Sequence, residues 1–203
     1  MNHLLLLSFA CLIALPAAAS LNYQEPVAEI ARLAKAQLAP SVRVNSQGTA
    51  MLLLARSLYP PIATLSEPEL RLGGLRVNPQ KNIGSRVRYY DNIKIQYLNN
   101  RAAPDASMPN VESQQTAAPA TGLPETPRLA YFSWSPNEQS VAFTHTGANG
   151  VELWVLDVTT AKTRRLSKVL LNANLGAPFT WAADSQSLLA KVVPKSRAAL
   201  IDT

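Results

Sequence analysis

Two stretches, Phe132-Ser133-Trp134 and Phe179-Thr180-Trp181, carry the same aromatic-x-Trp signature, and Trp134 and Trp181 stand 47 residues apart. A repeat of this period describes a unit that buries its apolar face only against its neighbours, so the chain is constrained to stacked sheets of similar size. The first copy is the more complete. Tyr131, Phe132 and Trp134 form an aromatic strand end, and Ser135-Pro136-Asn137-Glu138 is a turn in which Pro presets φ and Asn tolerates the tight position after it. Val141 and Phe143 then alternate with a period of two, the segment from Gly147 to Gly150 turns the chain, and Glu152-Leu153-Trp154-Val155-Leu156-Asp157-Val158 is a third strand. After the turn Thr159-Thr160-Ala161-Lys162, the stretch Lys162 to Leu166 completes the unit, which reads as one blade of a β-propeller.

The chain begins with an apolar run, Leu4 to Leu15, followed by Pro16-Ala17-Ala18-Ala19-Ser20. The run is too short to span a bilayer as a helix, and Ala17-x-Ala19 supplies the small residues a signal peptidase needs, so residues 1–19 are expected to be a signal peptide. The product is expected to be exported, periplasmic or secreted, with no stable membrane insertion after cleavage. Cys11, the single cysteine, falls inside this leader, and Ser8 occupies the place where a lipobox needs Leu, which argues against lipidation. Thiol catalysis and disulfides are therefore excluded from residues 20–203. His145 is the one histidine left there, and no His, Cys or carboxylate cluster has metal-ligand spacing, so no metal site, no cofactor site and no catalytic residue is assigned. A net charge of +6 and a pI near 9.7 are compatible with an anionic partner, but the basic residues are scattered and lack interleaved stacking aromatics, so no nucleic acid is expected.

Pro26 to Leu38 places Val27, Ile30, Ala31, Ala34 and Leu38 on one helical face and reads as a short N-terminal packing helix ended by Pro40. Val42 to Arg56 reads as a hairpin: Val42-Arg43-Val44, the turn Asn45-Ser46-Gln47-Gly48, and the buried-strand run Ala50 to Ala55. Its layout echoes the Trp repeats with Val44 in the place of Trp134, which requires an insertion before the next unit. Asn99 to Pro127 holds five prolines with no hydrophobic periodicity and reads as an insertion or linker over 99–127. Just before it, Arg71 to Arg101 holds seven Lys or Arg and one acid, Asp91. That run is either a patch for acidic peptides or an ordinary solvated strand face.

Several stretches, in order, carry a family resemblance: Tyr59-Pro60-Pro61-Ile62-Ala63, Pro68-Glu69-Leu70-Arg71-Leu72-Gly73-Gly74-Leu75-Arg76-Val77-Asn78-Pro79, Ser85-Arg86, Thr121-Gly122-Leu123-Pro124, Trp134-Ser135-Pro136, Leu153-Trp154-Val155-Leu156-Asp157 and Phe179-Thr180-Trp181. Together they resemble the amino-terminal propeller of the exported glutamyl endopeptidase branch of the prolyl oligopeptidase-like serine peptidases. Asn137-Glu138 departs from that pattern, which has Asp-Gly in the turn, and the stretch after Asn100 is longer than the family requires. The resemblance implies peptide substrates and a following α/β-hydrolase domain with its nucleophile in a Gly-x-Ser-x-Gly elbow. No glycine of this chain flanks a serine at that spacing.

The expected fold is all-β: an incomplete β-propeller over 20–203, about three to four blades of four-stranded antiparallel sheet at roughly 45 residues each. That is fewer than the closed ring the resemblance implies, so the chain is expected to be a fragment in architecture and inactive alone. Its partners are then peptide substrates or a catalytic hydrolase domain. Val169, Leu170, Leu171, Leu188, Leu189, Val192 and Val193 would sit at uncovered blade edges and promote self-association. The alternative is a free-standing exported protein-interaction module without peptidase function.

Overall fold

The computed structural model describes residues 24–98 and 117–196. The leader expected over 1–19 and residues 99–116 of the Pro-rich stretch lie outside the described residues. Helix α1 (Ala28–Ala34) follows Pro26, with Glu29 in its first turn and Arg32 in its last, where each complements the helix dipole. It belongs to a unit of residues 1–36 and buries none of its side chains, so the packing role expected of it has no counterpart there. The β unit begins at Gln37.

This unit is all-β and propeller-like, built of antiparallel sheets. In the first sheet, β1 (Ser41–Val44) and β2 (Ala50–Ala55) form the expected hairpin, with Val44 opposite Met51. The chain then leaves the sheet through α2 (Ile62–Leu65) and a separate three-stranded sheet of β3 (Leu70–Leu72), β4 (Leu75–Asn78) and β5 (Ile83–Gly84). Gly73 and Gly74 join β3 to β4, both at positive φ (54° and 90°), as a two-residue hairpin turn requires. β6 (Asn92–Tyr97) returns to pair with β2, and β7 (Ala118–Pro119) completes the order β1-β2-β6-β7. The Pro-rich stretch therefore contributes a strand to the sheet: Lys94 pairs with Pro119 and Ile95 with Ala118. Proline is tolerated because β7 is an edge strand whose outer side needs no donor.

The second sheet holds β8 (Leu129–Trp134), β9 (Ser140–Thr146), β10 (Val151–Asp157) and β11 (Lys162–Arg165), and a third pairs β12 (Phe179–Trp181) with β13 (Leu188–Ala190). The second sheet is covered on both faces, which is why β9 is buried at six consecutive positions rather than at alternate ones. Val141, Phe143, Leu156 and Val158 face Leu52, Leu54, Ile93 and Ile95 of the first sheet. On the opposite side Ala142, Val151 and Leu153 meet Leu171, Ala173, Phe179 and Ile83, so β5 is packed into that second core. A bulge between Ala130 and Ser133, with Tyr131 at φ 54°, lets Phe132 join the first core while Tyr131 packs on the second. Trp134 and Trp154 pack on the first core, and Trp181 packs on the second while donating its indole N–H to Ser133 O at 3.1 Å. Of the apolar residues expected at open edges, Leu171 is buried, whereas Val169, Leu189 and Val192 are exposed.

Three of the strand-joining turns, β1 to β2, β8 to β9 and β12 to β13, share one geometry. Gly48, Glu138 and Ser185 occupy the same fourth position, all left-handed, at φ 69°, 61° and 60°. In each, the first residue donates its main-chain N–H across the turn: Asn45 to the Ala50 carbonyl, Ser135 to that of Ser140 and Ala182 to that of Ser187. In the second and third of these turns the side chain at the fourth position reaches the turn of the preceding sheet. Glu138 accepts from Asn45 Nδ2 (2.6 Å), Ser46 N (2.7 Å) and the Ser46 hydroxyl, and Ser185 Oγ accepts from Asn137 N (3.0 Å). The Glu138 that departs from the Gly of the family pattern thus holds an unfavoured backbone conformation in exchange for an inter-sheet clasp. Glu138→Ala is expected to melt lower than Glu138→Gly, since glycine relieves the backbone while alanine keeps the strain and loses the clasp. Equal melting temperatures would show that the backbone is not strained.

Candidate functional site

Besides Asp91, the segment between β2 and β6 carries Glu67 and Glu69, two residues apart and directed at different sets of cations. Glu67 Oε1 accepts from Lys81 Nζ at 2.6 Å and Arg128 Nη1 at 2.7 Å, and its Oε2 accepts from Asn78 Nδ2 at 2.8 Å. Asn78 is itself fixed by receiving the N–H groups of Gln80 and Lys81 on its Oδ1. Partial burial raises the Glu67 pKa, but the hydrogen bonds and charges of Arg128 and Lys81 outweigh that and hold the carboxyl below its ordinary value.

Arg128 joins this segment to the second sheet. Its guanidinium lies 4.4 Å over the Tyr89 ring, its main-chain N–H donates to His145 Nδ1 at 3.3 Å, and its carbonyl accepts from Thr146 N at 2.9 Å. His145, opposite Glu152 in the β9–β10 register, is buried and meets Trp154 edge-on at 6.2 Å. Burial lowers its pKa, the Glu152 charge opposes that, and the Arg128 and Arg165 charges add to the lowering. Glu152 in turn accepts from the Trp154 indole at 2.9 Å and pairs with Arg165 at 2.9 Å. A row of polar groups thus lies along the end of the second sheet, from Arg165 and Glu152, across the register to His145, and through Arg128 and Glu67 to Lys81. With Nδ1 engaged as an acceptor and its pKa lowered, the ring is a neutral member of this row at pH 7.

Glu69 gathers three more cations of the basic run. Its Oε1 accepts from Arg71 Nε at 3.1 Å and Arg76 Nη1 at 2.9 Å, while Oε2 accepts from the Ser85 hydroxyl and faces Arg86 Nε at 3.5 Å. The Ser85 hydrogen bond, ahead of burial acting the other way and of the Arg71 and Arg76 bonds, brings its pKa to about 2. Of the seven basic residues expected to form either a patch or a solvated face, Arg71, Arg76, Lys81 and Arg86 are therefore paired with internal carboxylates, Arg88 and Lys94 are exposed, and Arg101 lies outside the described residues. Counting acids from Arg71 onward misses Glu67 and Glu69, which lie just upstream of it. Arg128 is 61 residues beyond Glu67, so their pairing has no local signal.

No protein-family model matches the chain. Over 185 residues it is 30% identical to a probable chloroplastic glutamyl endopeptidase of Arabidopsis thaliana, and over 193 residues 28% identical to one of Oryza sativa subsp. japonica. The matches cover 87% and 89% of this chain but 18% and 19% of those proteins. The chain is related to peptidases. It spans less than a fifth of the length of the curated relatives it matches.

Proposed function

We propose that this chain is the non-catalytic propeller part of an exported serine peptidase of the prolyl oligopeptidase-like, glutamyl endopeptidase type. In this reading it gates or positions peptides for an α/β-hydrolase domain. The observation that carries it is the similarity to two probable glutamyl endopeptidases along 87% and 89% of a chain that folds into stacked antiparallel sheets. Two features support it. The Glu67–Arg128 and Glu69 clusters set five cations around two carboxylates, a surplus suited to peptides bearing acidic side chains. The leader expected over 1–19 supports export.

The test is hydrolysis of fluorogenic peptides containing glutamate. The purified chain alone is expected to show none. Adding an α/β-hydrolase polypeptide from the same source is expected to produce cleavage that a serine-directed inhibitor abolishes. Inhibitor-sensitive cleavage by the chain alone, retained through repeated purification, would overturn the assignment, as would a hydrolase whose activity on these peptides is unchanged by the chain.

A further inference from the structure

Among the described residues the inserted three-stranded sheet leaves β3 at an open edge, and all three of its residues are exposed. Arg71 of β3 stands directly opposite Arg76 of β4, a like-charge pair that repels across an antiparallel ladder. Glu69 lies against both, and also against Ser85 and Arg86. One carboxylate thus meets three guanidiniums, and the side chains of Arg71 and Arg86 remain 73% exposed while that of Glu69 is 20% exposed. The hairpin is already closed by its two-residue turn and three registered pairs, so holding it together does not require the surplus cations.

The backbone at this edge is equally open. In an antiparallel pair closed by a two-residue turn, the residues flanking the turn, here Leu72 and Leu75, share the ladder bonds, so the main-chain groups of Arg71 point away from β4. The Arg76 carbonyl behaves accordingly: it turns from β3 and accepts from Ser85 N at 3.0 Å. Along β3 the side chains alternate, with Arg71 on one face and Leu70 and Leu72, the latter 58% exposed, on the other.

We propose that the free edge of β3, with Arg71, Arg76 and Arg86, is a docking site for an extended acidic peptide. The peptide adds as a strand, and one of its carboxylates takes the place that Glu69 occupies from within the chain. Main-chain bonds to the edge supply affinity, and the arginines select the anion. A segment alternating acidic and aliphatic residues matches the alternation of β3. This deepens the peptide-positioning reading by naming the class of peptide, and rests on that reading only for the peptide being a substrate.

The experiment titrates the full chain with a fluorescently labelled pentapeptide of alternating leucine and glutamate, and with its glutamine counterpart, by anisotropy at low and high salt. The glutamate peptide is expected to bind at least about tenfold more tightly than the glutamine peptide, about 1.4 kcal/mol, and to weaken with salt. Glu69→Ala, checked for folding by its thermal melt, is expected to gain about tenfold in affinity, and adding Arg71→Gln and Arg86→Gln is expected to remove the gain. Should Glu69→Ala not fold, Arg71→Gln with Arg86→Gln in the otherwise unchanged chain reads the same site, with a loss of about tenfold expected. Equal binding of the two peptides, no gain in folded Glu69→Ala, or no loss in the arginine pair would overturn the proposal. So would pairing of two copies through β3 that the peptide does not displace. Because binding is read without hydrolysis, the site stands or falls separately from the peptidase assignment.

Discussion

Phe143→Ala is expected to destabilise the β unit by about 3–5 kcal/mol, the range for a large aromatic deleted from a closed core. For a chain of this size that corresponds to a fall of roughly 10 °C in melting temperature. Phe143 is fully buried, stacks on Phe132 at 5.5 Å between ring centroids and on Trp154 at 6.4 Å, and faces the first sheet's Leu52, Leu54, Ile93 and Ile95. Both walls are strands held by ladders on each side, so they cannot collapse into the void. Urea denaturation followed by tryptophan fluorescence measures the loss, and Trp154 reports from the cavity wall. A change below about 1 kcal/mol, the level of ordinary surface substitutions, would mean that the first two sheets do not share one core.

Arg128→Met is expected to be the second most damaging change, costing about 2–3 kcal/mol. A fully buried pair broken from one side loses about 3–5 kcal/mol, but the Arg128 and Glu67 side chains keep 22% and 20% exposure, so water screens part of the loss. The substitution strips Glu67 of one cation and Tyr89 of its stacked guanidinium. Its diagnostic is pH. A carboxyl held below 4.5 in the fold contributes stability that is complete above that value and is lost as pH falls through the lowered one. With the cation gone the native pKa moves back towards 4.5, so the variant should lose less stability on acidification than the parent. In a double-mutant cycle with Glu67→Gln, the two losses should fall short of adding. Parallel acid profiles and additive losses would show that the two side chains do not interact.

The parts of this fold that were legible in sequence are those whose signal is local. Trp134, Pro136 and Gly150 punctuate β8 to β10 closely enough that period-two alternation and turn chemistry agree, and the Val44 hairpin followed from the same layout. The two-residue β7 was hidden because Ala118-Pro119 is too short to show alternation, and its place is set by Ile93 and Ile95 on the neighbouring strand rather than by its own composition. Gly73-Gly74 did carry a hairpin signal, since two adjacent left-handed positions select glycine, but the flanking leucines and arginines do not show which face is covered. The polar row was illegible for a different reason. Nothing near Arg128 or His145 indicates a carboxylate brought in from an insertion into another sheet, because ion pairing is decided by tertiary approach and leaves no periodicity behind.

The turn series Gly48, Glu138, Ser185 gives the stack of sheets a direction. Each clasp runs from a later turn back to an earlier one, so the residue at a fourth position is chosen by a neighbour elsewhere in the chain as well as by its own loop. Pro136 has no N–H to offer, and the donor to Ser185 is accordingly Asn137, one residue further along than the Ser46 donor in the preceding turn. Turns in this protein are therefore not interchangeable parts. A loop graft that ignores its upstream neighbour breaks a contact it never contained, and successful transplants will have to move in adjacent pairs, like links cut from a chain.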